Sequence, residues 1–407
     1  MNILVINSGS SSIKYQLFKM PSDQPICSGL VERIGFTDSV ITHKVYLNQE
    51  EKVVKLNLDL ADHEAGLLEV GRLLVEPGIG VIHNPEEIEI VGHRVVHGGE
   101  SFSQTTVITQ EVKEEIRRLF ILAPLHNPGN FTGIEVAEKL FTKATQIVVF
   151  DTAFHQSMPE KAFRYAIPNS LYTNNGIRAY GFHGTSHKYV TEQANNYLNN
   201  PDAKIITIHL GNGCSMAAVN AGKCIDTSMG FTPLDGLIMG TRSGTIDASV
   251  IFHLVSQLGY DIEQVNTLLN KESGMLGLTG FNDMRDIIKS MNEGNEMAKL
   301  AYQMYAYRIK KFIGSYVAAL NGLDAIVFTA GVGENDVLIR KMICEDMEFL
   351  GITLDVEKNS HRNSIVREIN LSDARIKIMV IPTNEELEIA NQCMELLSWK
   401  GLSQRTL

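Results

Sequence analysis

Cysteine is scarce and scattered. The 407-residue chain carries five, Cys27, Cys214, Cys224, Cys344 and Cys393, and no two form a C-x-x-C pair. That pattern excludes a disulfide framework and fits buried thiols in a reducing compartment. No apolar run approaches the length of a membrane span, so no membrane is expected as a partner. Met1 leads straight into a strand, without a charged segment followed by an apolar one, so no signal peptide and a cytoplasmic location are expected. Positive charge is also in deficit: 36 Lys and Arg against 47 Asp and Glu leave a net charge of −11. Nucleic acid is therefore not an expected partner. Any anionic substrate must be drawn in by local cations against the global field. Two common phosphate motifs are absent. Gly222-Lys223 runs into Cys224, with Ala217 where G-x-x-x-x-G-K-[ST] needs its first glycine, and no G-x-G-x-x-G joins a strand to a helix.

What is present describes an ordinary globular protein of two or three domains, 44% hydrophobic and 20% charged, able to build a full core without metal or disulfide staples. The apolar period switches repeatedly between strand and helix, which indicates an α/β class. It predicts strands over 2–7, 13–19, 89–96, 144–151, 204–210, 216–219, 325–329 and 377–381. It predicts helices over 110–121, 130–140, 246–258, 283–291, 296–320, 335–350 and 384–397. The 296–320 segment is apolar on more than one face, as a buried interdomain or interface helix would be, and stops at Asn321-Gly322.

The turn Asn7-Ser8-Gly9-Ser10-Ser11-Ser12-Ile13-Lys14 joins two of these strands with small residues, hydroxyls, one glycine and one lysine. Gly9 admits the positive φ that lets successive N–H groups converge on an anion; a plain polar hairpin is the competing reading. About half a chain later, Ile205 to Ser215 repeats the plan: a β-branched strand, a Gly211-Asn212-Gly213 turn, then a second strand. A third strand follows in both copies, ending near Gly29 and Asp226, as in a duplicated domain. A third glycine turn, Gly331-Val332-Gly333-Glu334-Asn335, follows the apolar strand 325–328 and opens a helix, where first-turn N–H groups lack partners.

Fixed charge sits at unusual places. Arg94 ends a strand before Gly98-Gly99, Arg242 lies between Gly240 and Gly244, and Asp283-Met284-Arg285 opens a helix. Glycines around an arginine bring backbone close to something, either a ligand or a buried ion-pair partner. Asp151 ends a buried strand at its carboxyl side, where α/β enzymes hold catalytic groups. His183 and His187 have zinc-helix spacing, but Gly184 replaces the needed Glu, and Gly181 and Gly184 argue against a helix. Ser11-Ser12-Ile13-Lys14 matches S-x-x-K in the wrong setting for an acyl-serine enzyme.

Taken with His126-Asn127-Pro128, Asp151–His155, Tyr180–His187, Asp226–Gly244 and Thr383-Asn384-Glu385-Glu386, these segments resemble, in order and over essentially the whole chain, the acetate/propionate/butyrate kinase family of the actin, sugar-kinase and chaperone ATPase superfamily. The resemblance implies a duplicated ribonuclease-H-like fold with two domains and a nucleotide cleft between them. Residues 1–152 plus 386–407 would form an N-terminal domain closed by the C-terminal helix, and 153–385 a nucleotide-binding and dimerisation domain. It implies a homodimer that transfers phosphoryl from ATP to acetate with Mg²⁺, or Mn²⁺, giving acetyl phosphate and ADP. Asn7 and Glu385 would serve the metal, and Lys14, with Ser10 and Ser12, the phosphates. His209, Leu210, Gly211, Asn212, Gly213, Asp283, Met284, Arg285, Gly331, Val332, Gly333, Glu334 and Asn335 would hold the nucleotide. Arg94 would bind the carboxylate substrate, with His126 beside the moving phosphoryl group. Asp151 would be the catalytic acid/base, and His183 and Arg242 the transition-state stabilisers. Val96, Leu125, Phe182 and Pro233 would line the acyl pocket, with Val96 narrowing it toward acetate. Asp235, Thr245 and Ala248 depart from the family pattern (Glu, Asp and Pro) without touching these residues.

The chemistry agrees with that inventory. A carboxylate approaching a triphosphate meets like-charge repulsion, which Arg94, Arg242, His183 and Mg²⁺ would offset. Acetate is ionised near neutral pH and has no proton to lose, so Asp151 reads better as an organiser of Mg²⁺ and its waters than as a base. Two rivals stay open: a propionate or butyrate kinase, and an actin- or chaperone-like ATPase. Against the second, an ATPase whose acceptor is water needs no carboxylate clamp.

Overall fold

The computed structural model describes residues 1–403 apart from 10, 48, 49, 125 and 364, so Ser10 and Leu125 lie outside the described residues. The chain divides into two compact units, Met1–Ala153 with Asn384–Leu407, and Phe154–Thr383.

In the first unit, β1 (Asn2–Ser8), β2 (Ser12–Lys19), β3 (Pro25–Glu32), β4 (Ser39–Leu47), β5 (Glu50–Leu58), β6 (Ile90–Val95), β7 (Thr106–Val107) and β8 (Thr145–Phe150) form one sheet in the order β5-β4-β3-β2-β1-β6-β8-β7. Strands β1, β6 and β8 run parallel and the remaining pairs are antiparallel. Helices His63–Val75 and Asn127–Leu140 join the sheet in one core through Leu67, Val70, Leu73, Leu74, Val136 and Ala137. The final helix, Glu385–Ser403, lies against Gly92 of β6. A Cβ there would sit 2.9 Å from Ile389 and 3.0 Å from Cys393, so glycine permits the close approach.

In the second unit, β9 (Lys204–Leu210), β10 (Cys214–Asn220), β11 (Lys223–Thr227), β12 (Ala325–Thr329), β13 (Arg367–Glu368) and β14 (Lys377–Val380) follow the order β11-β10-β9-β12-β14-β13. Strand for strand, β3-β2-β1-β6-β8 and β11-β10-β9-β12-β14 share order and direction. The echo in the sequence is thus a topological repeat, the duplicated ribonuclease-H-like α/β plan. The turns after Ser8 and after Leu210 occupy equivalent places, each between the first two strands of a copy.

Several elements differ from the sequence expectation. Hairpin β4–β5 extends the first sheet; its outer strand β5 opens on exposed Glu50-Glu51-Lys52 and alternates apolar and polar residues only over Val54–Leu58, a pattern the sequence reading passed over. Helix Gly184–Leu198 forms despite its glycines, because Gly184 is only its first residue and His183 supplies the turn before it at φ 57°. The 335–350 segment is not one helix: Asn335 ends a short helix Ala330–Asn335, and Asp336 caps a separate one, Val337–Cys344. The long helix spans Glu296–Leu320 and closes on Asn321 in the left-handed region. No helix among the described residues is long and apolar enough to cross a membrane.

Candidate active site

Parallel strands deliver their carboxyl ends to one sheet edge, so β1, β6 and β8 bring Asn7, Arg94 and Asp151 together. Arg94 Nε donates to both Asp151 oxygens, at 3.0 and 3.1 Å, and its Nη2 donates to Oδ2. Arg94 Nη1 donates to Asn7 Oδ1 at 3.1 Å. Asp151 is 1% exposed and Arg94 20%. Burial opposes the guanidinium charge, but Asp151 and Glu385 outweigh it and raise the Arg94 pKa. Of the five guanidinium N–H donors, Nε–H and one on Nη2 are given to Asp151 and one on Nη1 to Asn7, so one N–H on each of Nη1 and Nη2 remains for a second anion.

Lys14, paired with Asn7 across β1 and β2, gives its ammonium to Glu386 at 2.7 Å. That contact ties one of its three N–H donors to the C-terminal helix, and the side chain is half exposed. Glu385 beside it has its pKa pushed up to about 7, by burial first and then by Asp151 and Glu386, against the pull of Arg94 and Lys14. Three carboxylates here face two cations. Such a deficit fits a hard divalent cation on oxygen donors such as Glu385 and the Asn7 amide oxygen. No group of three or more His, Cys, Asp and Glu placed for a metal occurs among the described residues, and a Mg²⁺ held largely by phosphates and water needs only one or two carboxylates.

A pH dependence follows from Glu385. Its folded pKa lies above the unfolded value of about 4.3, so the folded protein holds the extra proton and loses stability as pH rises from there through about 7. Glu385→Gln, which imitates the protonated form, is expected to melt above the wild type at pH 8 and level with it at pH 5. Mg²⁺ should narrow the gap at pH 8. Equal melting temperatures at both pH values in metal-free buffer would contradict the assignment.

The serine-rich turn is held from two helices. His63 contacts the Gly9 carbonyl at 2.7 Å, Asn130 Nδ2 donates to the Ser8 carbonyl, and Gly9 N–H donates to the Ser12 carbonyl at 2.7 Å. Asn130 also accepts from the Val96 N–H, so one side chain spans the turn and an expected acyl-pocket residue. His126 occupies the N-cap of helix Asn127–Leu140.

In the second unit, three segments far apart in sequence line one cavity of about 810 Å³: Gly211-Asn212, Asp283–Arg285 with Asp283 as a helix cap, and Gly331, Val332 and Asn335. Leu210, Gly333 and Glu334 lie outside its lining. Leu210 is fully buried, the Gly333 carbonyl accepts from Arg340 at 2.8 Å, and Glu334 accepts from the Thr383 N–H at 3.1 Å. Met275, Ile288 and Tyr305 also line the cavity and escaped the sequence reading, because apolar residues inside helices carry no motif. Gly240 was visible only as a neighbour of Arg242. A Cβ there would fall 2.0 Å from Asn212 Oδ1, so a side chain would displace the Asn212 amide.

Arg242 is half-buried and donates from Nη1 to the Pro233 carbonyl at 3.1 Å; burial lowers its pKa. His183 holds a left-handed backbone that non-glycine residues adopt at a cost of about 1–3 kcal/mol, a mark of functional sites. Its ring stacks on His209 at 4.3 Å, and its Nδ1 lies 2.9 Å from Ser215 Oγ. A Cβ on Gly213 would lie 3.3 Å from the His183 ring and 3.7 Å from Arg242 Nη1, so both groups flank that glycine. His187 bonds Thr207 and Ser215 at 2.7 Å each.

The sequence profile of the acetokinase family matches residues 2–391. The chain belongs to the acetokinase family. It is 58% identical to the acetate kinase of Flavobacterium johnsoniae over 397 residues, covering 98% of this chain and 100% of that one. It is 51% identical to the acetate kinase of Clostridium novyi, covering 98% of each. Its structure resembles the crystal structure of Porphyromonas gingivalis acetate kinase with a TM-score of 0.91 at 43% identity, covering 97% of this chain and 99% of that one. A propionate kinase from Francisella tularensis gives a TM-score of 0.89 at 44% identity, covering 96% and 98%. Within this acetokinase chain, the expected acyl-pocket residues divide between the units. Val96 lies in the first at 6% exposure; Phe182, at 2%, and half-buried Pro233 lie in the second.

Proposed function

We propose that this acetokinase catalyses reversible phosphoryl transfer between ATP and acetate, giving acetyl phosphate and ADP. The observation that carries the reading is Arg94: a guanidinium locked by Asp151 and Asn7, with one N–H each on its Nη1/Nη2 edge left for a planar carboxylate. Two parallel N–H···O bonds from that edge would orient acetate and offset its repulsion from the triphosphate. Positioning of two reactants is worth up to about 7–11 kcal/mol of barrier. Both Asp151 oxygens engage Arg94, which supports Asp151 as the group that aims the clamp, in place of a base or an organiser of Mg²⁺ waters. Asn7 and Glu385 would hold Mg²⁺, whose charge neutralises the phosphate oxygens during transfer. The 810 Å³ cavity would take the nucleoside. Arg242 and His183 would meet the charge that spreads over the equatorial oxygens. A homodimer is also proposed. Exposed apolar side chains, Phe252 at 70% and Tyr307 at 64%, supply surface for it.

The structural likeness to a propionate kinase motivates a second reading with a longer acyl group. Buried Val96 argues for acetate, and one methylene discriminates by about 1–3 kcal/mol. Trapping acyl phosphate with hydroxylamine in the presence of MgATP should yield product only when a carboxylate is added, with kcat/KM for propionate roughly 10-fold below that for acetate. Equal values would favour the second reading, and ATP hydrolysis without acyl product would refute both.

A further inference from the structure

The loop that carries Arg242 is closed at its neck and pinned there from outside. Gly236 and Thr245 pair across the neck. The Thr245 N–H donates to the Gly236 carbonyl at 3.1 Å, and the Gly236 N–H donates to Thr245 Oγ1 at 3.0 Å and to Asp235 Oδ1 at 2.8 Å. Thr245 Oγ1 donates in turn to Asp235 Oδ1 at 2.6 Å. Inside the neck the chain folds so tightly that a Cβ on Gly244, at φ 68°, would lie 2.3 Å from the Leu237 carbonyl. At the far end of the loop the Gly240 N–H donates to the Asn212 carbonyl at 3.0 Å, and the Arg242 guanidinium returns to the Pro233 carbonyl just before the neck.

The outside pin is Arg308. Its Nη1 donates to the Gly236 carbonyl at 3.2 Å and to the Thr245 carbonyl at 3.0 Å. A guanidinium only donates and a carbonyl only accepts, so the direction of both bonds is fixed. Thr245 is exposed, and water competes there for the neck's own hydrogen bonds, which by themselves stabilise closure weakly. Bonds from a charged donor are the stronger kind. Arg308 is itself held by the helix Glu296–Leu320, whose Tyr305 and Ile309 on either side of it are buried. Tyr305 lines the 810 Å³ cavity, and its hydroxyl lies 3.0 Å from Cys214 Sγ, which is 3.3 Å from the Gly211 carbonyl. One turn of a packed helix therefore meets the neck of the Arg242 loop directly and the Gly211–Gly213 turn through Cys214.

Resting on the kinase reading above, we propose that Arg308 is a positioning residue for Arg242: by bonding both carbonyls of the neck, it holds the loop where the Arg242 guanidinium flanks Gly213 beside His183. Arg308 does not line the cavity, so its removal acts through the loop. The expected signature is that of Arg242 itself, a lower kcat with KM nearly unchanged, because that guanidinium meets charge that develops in the transition state. An arginine that served stability alone would reduce the amount of folded enzyme and leave kcat per folded molecule intact.

The test is a double-mutant cycle on the full chain, read by acyl hydroxamate formation and by hydrogen exchange. Arg308→Met keeps an apolar stem and removes both bonds. Alone it should lower kcat about tenfold, with KM for acetate and MgATP changed less than about threefold. In an Arg242→Ala background it should lower kcat less than about twofold, since the group it positions is gone. Arg308→Lys keeps the charge without the fork and should recover part of the loss. Backbone amides over 236–245 should exchange about tenfold faster in Arg308→Met, with strand Lys204–Leu210 unchanged. Thr245→Val, which keeps shape and removes the hydroxyl joining Asp235 to Gly236, loosens the neck from the loop side; it should give the same two changes and serves if Arg308→Met does not fold. Equal losses of kcat in both backgrounds, a rise in KM for MgATP at constant kcat, or unchanged exchange over 236–245 would each overturn the proposal. Absence of acyl phosphate with the wild type would refute the kinase reading instead, while the exchange comparison still decides whether Arg308 holds the loop.

Discussion

Arg94→Leu is expected to lower kcat/KM for acetate by about three orders of magnitude. The reasoning starts from Asp151, which is 1% exposed and hydrogen-bonded through both oxygens to that guanidinium. Removing one partner of such a pair leaves a buried charge without compensation, worth about 3–5 kcal/mol, and the substrate clamp disappears with it. Arg94→Lys keeps the charge but not the fork, so it should recover part of the loss in stability and little of the loss in acetate affinity. Asp151→Asn should fall in the same direction, since an amide NH₂ would face Nη2, and raised Mg²⁺ should not restore it. Steady-state kinetics over acetate and Mg²⁺ concentrations check all three variants. Recovery of Asp151→Asn by Mg²⁺ would return Asp151 to the role of metal organiser.

The second large effect belongs to Arg242. Arg242→Ala is expected to reduce kcat by roughly 10³-fold while KM for ATP and acetate changes little, the pattern of an interaction made mainly in the transition state. The structure motivates this split. The guanidinium is held by the Pro233 carbonyl and flanks Gly213 together with His183, yet it does not line the 810 Å³ cavity. Acyl hydroxamate formation, with thermal melting as a control for folding, measures it. A rise in KM for ATP at constant kcat would assign Arg242 to ground-state nucleotide binding.

Much of the fold was legible in local pattern. Runs such as Ile3–Ile6 and Ile205–Ile208 are apolar and buried in the sheets, so their composition reveals strands directly. Edge elements were missed: β5 begins on exposed charges, and its alternation, Val54-Lys55-Leu56-Asn57-Leu58, is short and only half-buried. Helix Gly184–Leu198 was hidden by its glycines. A helix tolerates glycine at its first turn, and the left-handed residue before it was a histidine.

The candidate site divides along the same line. The chain alone pointed to phosphate-handling turns between β-branched strands, with a plain hairpin as the competing reading, and its ordered motifs resembled a family with a duplicated fold. It also marked Arg94, Asp151 and Arg242 by glycines or a strand end, and His183 by the family resemblance. Tertiary structure alone decided what those groups touch. Arg94 meets Asp151 across 57 residues and Asn7 across 87, and Lys14 meets Glu386. Asn212, Met284 and Val332 come to line one cavity, and His183 hangs on Ser215 and, through it, His187. The physical reason is register. Side-chain partners are set by how parallel strands align and which helix end caps which turn, and those alignments are sums over many long-range contacts that no short stretch of sequence contains.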